Sequence, residues 1–481
     1  MRLRVRRRWQ TGGDDGESDI QEYKCLVAQA GEKGYRLRKA GDRTGPRGWL
    51  LKLLPAVPRG AFALAMMKSE GSGWSMQNSV PTDTRLSELR VAIVHYWFVG
   101  RGGGERVVEA LAEVFPQADL YALVADRSTL GPILQGRKLQ TSFLQQVPGA
   151  TKFHRYFLFL QPLALEQFDL SNYDLVISSE SGPAKGVITS SKTCHVCYCH
   201  SPMLYIWDMY PEYRRGMGPL VGTVFSLAAH YMRLWDYASA GRVDYFVANS
   251  RFIASRIRKY YGRESTVIHP PVEAVAAHVS GPPGEYYVSI GRLVDYKRID
   301  LAVRACTKLG RRLKVIGDGP QFKTLRRLAG PSVELLGRVS DEKLRETLAG
   351  CRAVLFPGEE DFGIVPVEAQ SFGRPVIAYA SGGVLETVRG IYPGETGVEN
   401  PTGLFFNEQS ASGLVKAILD FEAMEDEFCA RTIREHSLQF DSEIFKDKIS
   451  DFIRFAVAEF RERSRVEAFA GRSEAQDLRG V

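Results

Sequence analysis

The sequence predicts an α/β protein built from two Rossmann-like units that face each other, each a mostly parallel sheet with helices on both sides. Three observations carry this. Short apolar runs alternate with helix-like stretches over 91–248 and again over 286–406, and strands buried on both faces of a parallel sheet read as such runs. The first run leads into a glycine-rich loop and an amphipathic stretch, the opening of a Rossmann-type unit. Between the two series stands His269-Pro270-Pro271, where neither helix nor strand continues easily.

In chain order, 91–95 is the first strand, 98–104 (FVGRGGG) the loop and 105–115 the helix. Gly100 and Gly102 are followed by Glu105 at the third glycine position, so the dinucleotide fingerprint fails and a dehydrogenase with NAD at 100–104 is disfavoured. Gly102, Gly103 and Gly104 still allow a ligand to approach the backbone closely. A tight turn that packs helix on strand is the alternative of equal weight. Strands follow at 120–124, 173–178, 195–199 and 245–248. His200 comes directly after the fourth of the five, and the C-terminal tip of a parallel strand points into the crevice where such sheets bind ligands. A histidine satisfied by local backbone is the alternative.

The second series has strands at 286–291, 313–317, 333–337, 353–356, 375–379 and 403–406, and a helix at 340–348 opened by Ser340 and early acids. The segment 443–460 reads as a final amphipathic helix. The expected organisation is a basic extension over 1–85, a first domain over 86–270, a second over 271–440, a last helix over 441–467 and a polar tail over 468–481.

Charge is informative once located. The net charge is +7; residues 1–80 hold 15 Lys/Arg against 8 Asp/Glu, which leaves 48 of each sign beyond them. A neutral globular part removes nucleic acid as a partner, since that needs a basic footprint on the folded domain. The apolar run 49–67 is broken by Lys52, Pro55, Pro58 and Arg59, a poor membrane span and a poor signal segment. It fits contact with an anionic membrane surface, or a translation start at Met66, Met67 or Met76. Seven cysteines, an odd and scattered number, fit a reducing, cytoplasmic setting. Cys194-His195-x-Cys197-x-Cys199-His200 invites a zinc reading, but it lies in a strand whose alternate residues face opposite ways and lacks a second Cys/His pair. Basic and aromatic residues stand together in 152–157 and 205–215, ahead of an apolar helix at 220–234, which suits a membrane interface or a lipid-diphosphate acceptor.

The chemistry concentrates in 356–380, FPGEEDFGIVPVEAQSFGRPVIAYA. A strand enters it, Phe362-Gly363-Ile364 opens a helix whose first-turn N–H groups attract phosphate, and Glu360 and Glu368 bracket that opening. Carboxylates accept from sugar hydroxyls. Upstream, Gly291 ends a strand and is followed by Arg292 and Lys297, suited to a diphosphate through a planar fork and a point charge.

Gly291-Arg292 with Lys297, Gly317-Asp318-Gly319-Pro320, and Glu360 with Glu368 as E-x7-E, in that order over 91–455, resemble the retaining GT-B glycosyltransferases of family 4. The resemblance implies two facing Rossmann-like domains with the last helix crossing back to the first. It implies a nucleotide-sugar donor on Gly291, Arg292, Lys297, Gly317, Gly363, Ile364 and Glu368, with Arg292 and Lys297 on the diphosphate. Glu360 then meets the transferred sugar and Glu368 the ribose, His200 lies beside that sugar, and the loop at Gly102–Gly104 faces the donor phosphates and the acceptor. No convincing Asp-x-Asp motif stands at a strand end, so no metal or other cofactor is expected. GRLVDYKRID and HSPMLYIWD are similar to bacterial mannosyltransferases of O-antigen and exopolysaccharide assembly. That favours GDP-mannose and a saccharide or polyprenyl-diphosphate-linked acceptor, with peripheral contact at the inner face of the membrane. A UDP-sugar donor and a non-catalytic nucleotide-sugar-binding protein are the rivals.

Overall fold

Two parallel sheets of seven strands each make up the architecture among the described residues. A computed structural model describes residues 85–277, 281–395 and 397–477, all within one compact unit, 79–481. Apart from Arg85, the extension expected over 1–85 lies outside the described residues, and with it the apolar run 49–67.

The first sheet contains β1 (Val91–Phe98), β2 (Asp119–Ala125), β3 (Leu139–Thr141), β4 (Leu175–Glu180), β5 (Cys194–Cys199), β6 (Tyr245–Ala248) and β7 (Thr266–Val267), in the order β3-β2-β1-β4-β5-β6-β7. The second contains β8 (Tyr286–Ile290), β9 (Arg312–Ile316), β10 (Val333–Gly337), β11 (Ala353–Phe356), β12 (Val376–Tyr379), β13 (Gly390–Ile391) and β14 (Gly403–Phe406), in the order β10-β9-β8-β11-β12-β14-β13. Both orders reverse beside the first strand of the sheet, between β1 and β4 and between β8 and β11. Such a switch point opens a crevice at the strands' C-terminal ends.

Helix α1 (Gly103–Val114) starts two residues earlier than its pattern suggests, because the Glu105 carboxylate reaches back to the Gly102 N–H at 3.0 Å and closes the first turn. Its apolar positions Val107, Val108, Leu111 and Ala112 recur at helical spacing and are buried. Against them packs the last helix, which we call α5 (Ser442–Asp477), through Phe445, Ile449, Phe452 and Ile453. Four such side chains contribute roughly 1.5–3 kcal/mol each, enough to bring the C-terminal helix back onto the first domain. It runs on through 468–477, a stretch that reads in sequence as a polar tail: with no Pro or C-cap before Asp477 except Gly471, nothing local stops it.

Between these lie α2 (Pro219–Ser239), α3 (Arg251–Tyr261) and α4 (Ile364–Ser371). Helix α4 is capped by Gly363 in the left-handed region, φ +89°.

Candidate active site

The second domain's half of the site is packed backbone against backbone. Gly291 follows β8 and Gly317 follows β9, at φ +154° and +135°, and a Cβ on Gly317 would stand 1.9 Å from the Gly291 carbonyl oxygen. A Cβ on Gly358, after β11, would come within 2.8 Å of the Lys297 carbonyl oxygen. Three strand ends therefore converge on Lys297, whose stem runs beneath Gly291, and its Nζ donates to Glu360 Oε1 at 2.5 Å. Burial opposes the Lys297 charge, but Glu360 and neighbouring Tyr296 outweigh it and hold the pKa above the ordinary lysine value.

Glu360 is itself held from behind. The Gly383 N–H donates to its carbonyl oxygen at 2.8 Å, and a Cβ on Gly382 would stand 2.5 Å from that oxygen. Arg292 is exposed, makes no ion pair among the described residues, and turns its charge toward Arg155 and His154 of the first domain.

In the first domain, neighbouring strand tips build a polar chain. His95 on β1 pairs in register with Ser179 on β4. Ser179 Oγ bridges His95 Nδ1 at 3.1 Å and His200 Nε2 at 2.8 Å. On its other side His95 faces Glu105 at 3.8 Å, too long for a hydrogen bond but close for a charge. Burial raises the Glu105 carboxyl, yet His95 and the N–H groups of α1's first turn prevail and keep it below the ordinary range. His200 is pushed down to about 3 by burial and then by His95, so its ring is neutral near pH 7. Its backbone is fixed as well, the N–H donating to the Glu180 main-chain carbonyl at 2.7 Å and the carbonyl accepting from the Asn249 side chain at 2.9 Å.

The two halves touch through the glycine loop. A Cβ on Gly104 would lie 2.9 Å from the Tyr96 hydroxyl, 3.4 Å from His95 and 3.7 Å from His200 Nε2; one on Gly103 would lie 2.6 Å from Ile364 Cδ1. The loop is thus wedged between His200 and the start of α4. One turn on, Arg106 donates to Glu368 Oε1 at 2.6 Å. Arg256 of α3 donates to Asp361 Oδ1 at 2.9 Å, and Glu386 accepts from the Arg251 and Phe252 N–H groups that open α3, at 2.9 and 3.1 Å. Burial pushes the Asp361 carboxyl up to about 6 against the pull of Arg256.

Strand-end glycines surround a lysine–glutamate pair, beside an anion-attracting helix start and a facing histidine, the group types that suit a phosphorylated, hydroxyl-rich ligand. The group 1 glycosyl transferase family model matches residues 274–437 and the Glycosyltransferase Family 4 model matches 101–275. The chain belongs to the family 4 glycosyltransferases.

An uncharacterized glycosyltransferase of Methanocaldococcus jannaschii is 24% identical over 210 residues, 43% of this chain and 56% of that one. The α-1,3/1,6-mannosyltransferase ALG2 of Saccharomyces cerevisiae is 25% identical over 389 residues, 66% and 73% of the two chains. A GDP-mannose-dependent monoacylated α-(1-6)-phosphatidylinositol monomannoside mannosyltransferase of Corynebacterium glutamicum is 36% identical over 113 residues, 20% and 30%. The match spans about half the length of the archaeal relative. Among solved structures, Anabaena HepE in complex with UDP-glucose covers 76% of this chain and 99% of its own, with TM-score 0.54 and 17% identity. Sucrose-phosphate synthase from Thermosynechococcus elongatus covers 77% and 100%, with TM-score 0.56 and 17% identity. These likenesses establish the GT-B fold.

In this family member the residues singled out in sequence fall into two groups. Gly291, Gly317, Lys297 and Glu360 pack together, while Gly103, Gly104, His200, Ile364, Gly363 and Glu368 line the seam between domains; Gly102 caps α1. Arg292 is not drawn into either cluster. Sequence reasoning missed Ser179, His95, Arg106 and Asp361, although Ser178-Ser179-Glu180 at a strand tip was a readable signal. It also missed Lys185, buried beneath the site with Glu180 at 3.6 Å and in contact with Asp236. Cys194, Cys197 and Cys199 are free and buried in β5, and among the described residues no group of three or more His, Cys, Asp or Glu is disposed to hold a metal ion.

Proposed function

We propose that this glycosyltransferase moves mannose from GDP-mannose, with retention of anomeric configuration, onto a saccharide or polyprenyl-diphosphate-linked saccharide in cell-surface polysaccharide assembly. The observation that carries the reading is the Lys297–Glu360 contact of 2.5 Å at the converging strand ends. It sets a cation for a leaving diphosphate beside a carboxylate for sugar hydroxyls. An ammonium has three donors, so Lys297 can bind Glu360 and a phosphate oxygen together.

Arg292 and Lys297, with the N–H groups of Gly363 and Ile364, stabilise the negative charge that grows on the diphosphate as its bond to the anomeric carbon breaks. The acceptor oxygen bonds to that carbon on the same face, and its proton passes to the departing phosphate oxygen. Neutral His200 hydrogen-bonds the sugar instead of carrying charge. Glu368 accepts from the ribose with the carboxylate oxygen that Arg106 leaves free. Two cations on the diphosphate make a divalent metal unnecessary.

The yeast and corynebacterial relatives, both mannosyltransferases, support the sugar. Among the described residues no helix is long and apolar enough to cross a membrane, and a lipid-linked acceptor would be met by peripheral contact at the inner membrane face. A UDP-sugar donor is favoured by one observation, the UDP-glucose bound in the similarly folded HepE.

The test is turnover of GDP-mannose and UDP-glucose with a lipid extract, with and without EDTA. Release of GDP that survives EDTA supports the reading. Turnover of UDP-glucose alone moves the donor to uridine, loss of turnover with EDTA overturns the metal-free step, and donor binding without turnover points to a binding protein.

A further inference from the structure

Helix α2 wears its apolar side outward. Leu220, Val224, Leu227, Tyr231 and Leu234 recur at helical spacing and are 42–80% exposed, while the small residues Gly222, Ala228 and Ala229 face the protein. A long contiguous apolar stripe on a soluble domain marks a docking surface. The neighbouring segment 153–163 extends it: Phe159 lies 5.9 Å from Tyr231, ring to ring, and Phe153, Tyr156 and Leu163 are also about half exposed or more.

The charge on this surface is predominantly basic. Over 147–163 and 210–239 the chain carries Lys152, Arg155, Arg214, Arg215 and Arg233, against Glu212 and the buried Asp236. A second copy docking face to face would bring these cations together, and a basic partner protein would be repelled. An apolar stripe flanked by Lys and Arg, with aromatics at its margin, matches the chemistry of an anionic bilayer surface.

The surface also runs to the mouth of the site. His154 packs on Trp97 of β1 at 4.6 Å, and Arg155 stands close enough to Arg292 for the two charges to repel. We propose that α2 and 153–163 form a membrane-docking face that lays the catalytic crevice against an anionic lipid surface, so that an acceptor is taken while still anchored in lipid. This deepens the transferase reading and rests on it for the acceptor alone.

The full chain is mixed with vesicles of phosphatidylcholine, with or without phosphatidylglycerol, and the bound fraction is measured by flotation. The expected result is preferential binding to the anionic vesicles, weakened about tenfold or more by Leu227→Asp/Leu234→Asp, with Lys152→Gln/Arg215→Gln removing the anionic preference. Thermal melting checks that both variants fold; their side chains are exposed. Unchanged binding by the Leu227→Asp/Leu234→Asp variant overturns the proposal, because the basic segment ahead of the described residues then carries the contact. A dimer in light scattering that this variant abolishes overturns it too, and makes the face an interface between copies. Turnover separates the two readings. If docking is right, this variant keeps its rate on detergent-dispersed acceptor and loses it on vesicle-borne acceptor; if the transferase reading is wrong, vesicle binding persists with no turnover in either format.

Discussion

Replacing Lys297 by methionine keeps most of the stem that runs beneath Gly291 but removes the ammonium 2.5 Å from Glu360. Two losses follow, and they have different sizes. In the proposed transfer the departing diphosphate loses one preorganised cation, and removing a single such contact in a water-poor site costs about 10²–10³ in rate, roughly 3–4 kcal/mol. In the resting protein Glu360 is left without its partner. Breaking a fully buried pair costs about 3–5 kcal/mol, but the Lys297 and Glu360 side chains retain 15% and 19% of their exposure, which reduces the loss to about 1–2 kcal/mol.

The two losses separate in a double variant. Lys297→Met/Glu360→Gln removes the stranded charge, so its melting temperature should return close to that of the parent, while GDP release from GDP-mannose stays at the floor because the cation is still missing. A stopped or continuous assay of nucleotide release together with a thermal melt reads both quantities. The reasoning is refuted if Lys297→Met keeps its rate within about threefold of the parent, or if the double variant regains activity along with stability.

Two further outcomes follow from the first domain. Ser179→Ala removes the hydroxyl between His95 and His200, and should lower kcat about tenfold with donor affinity unchanged, whereas Ser179→Thr, which keeps the hydroxyl, should restore it; a fall in donor affinity instead would mean that Ser179 touches the donor. Glu180→Gln concerns stability. Burial, opposed by Lys185, raises the Glu180 carboxyl to about 7, so between about pH 4 and 7 the folded state holds the proton more tightly than the unfolded chain, and stability from this group falls as pH rises. The variant lacks that penalty, so its stability relative to the parent should be greater at pH 8 than at pH 5, by up to ~3 kcal/mol; equal differences at the two pH values, measured by denaturant melts, would refute it.

How much of this was legible depended on whether a residue's partner lies on its own segment or on another. The strands β1, β5, β8 and β11 read directly, because buried parallel strands are continuous apolar runs. Strands β3, β7 and β13, of two or three residues, carry too little pattern to be seen. Lys297 and Glu360 were each visible as residue types suited to phosphate and sugar, yet their contact depends on Gly291, Gly317 and Gly358 letting three strand ends close on one side chain.

The seam between the domains was illegible for a related reason: Arg106, Arg256 and Glu386 each serve a partner more than 100 residues away, and a lone charge on a helix reads as a solvated one. Glu105 makes the point most sharply. In sequence it is the residue that spoils a glycine fingerprint and so argues against a dinucleotide. In the folded chain the same carboxylate caps Gly102, which starts α1 at Gly103 and wedges the loop against Ile364, and it faces His95, which through Ser179 orients His200. A third glycine there would leave the first turn of α1 uncapped and His95 without a charge to face, so the departure from one family's motif is the feature on which this site's own geometry rests.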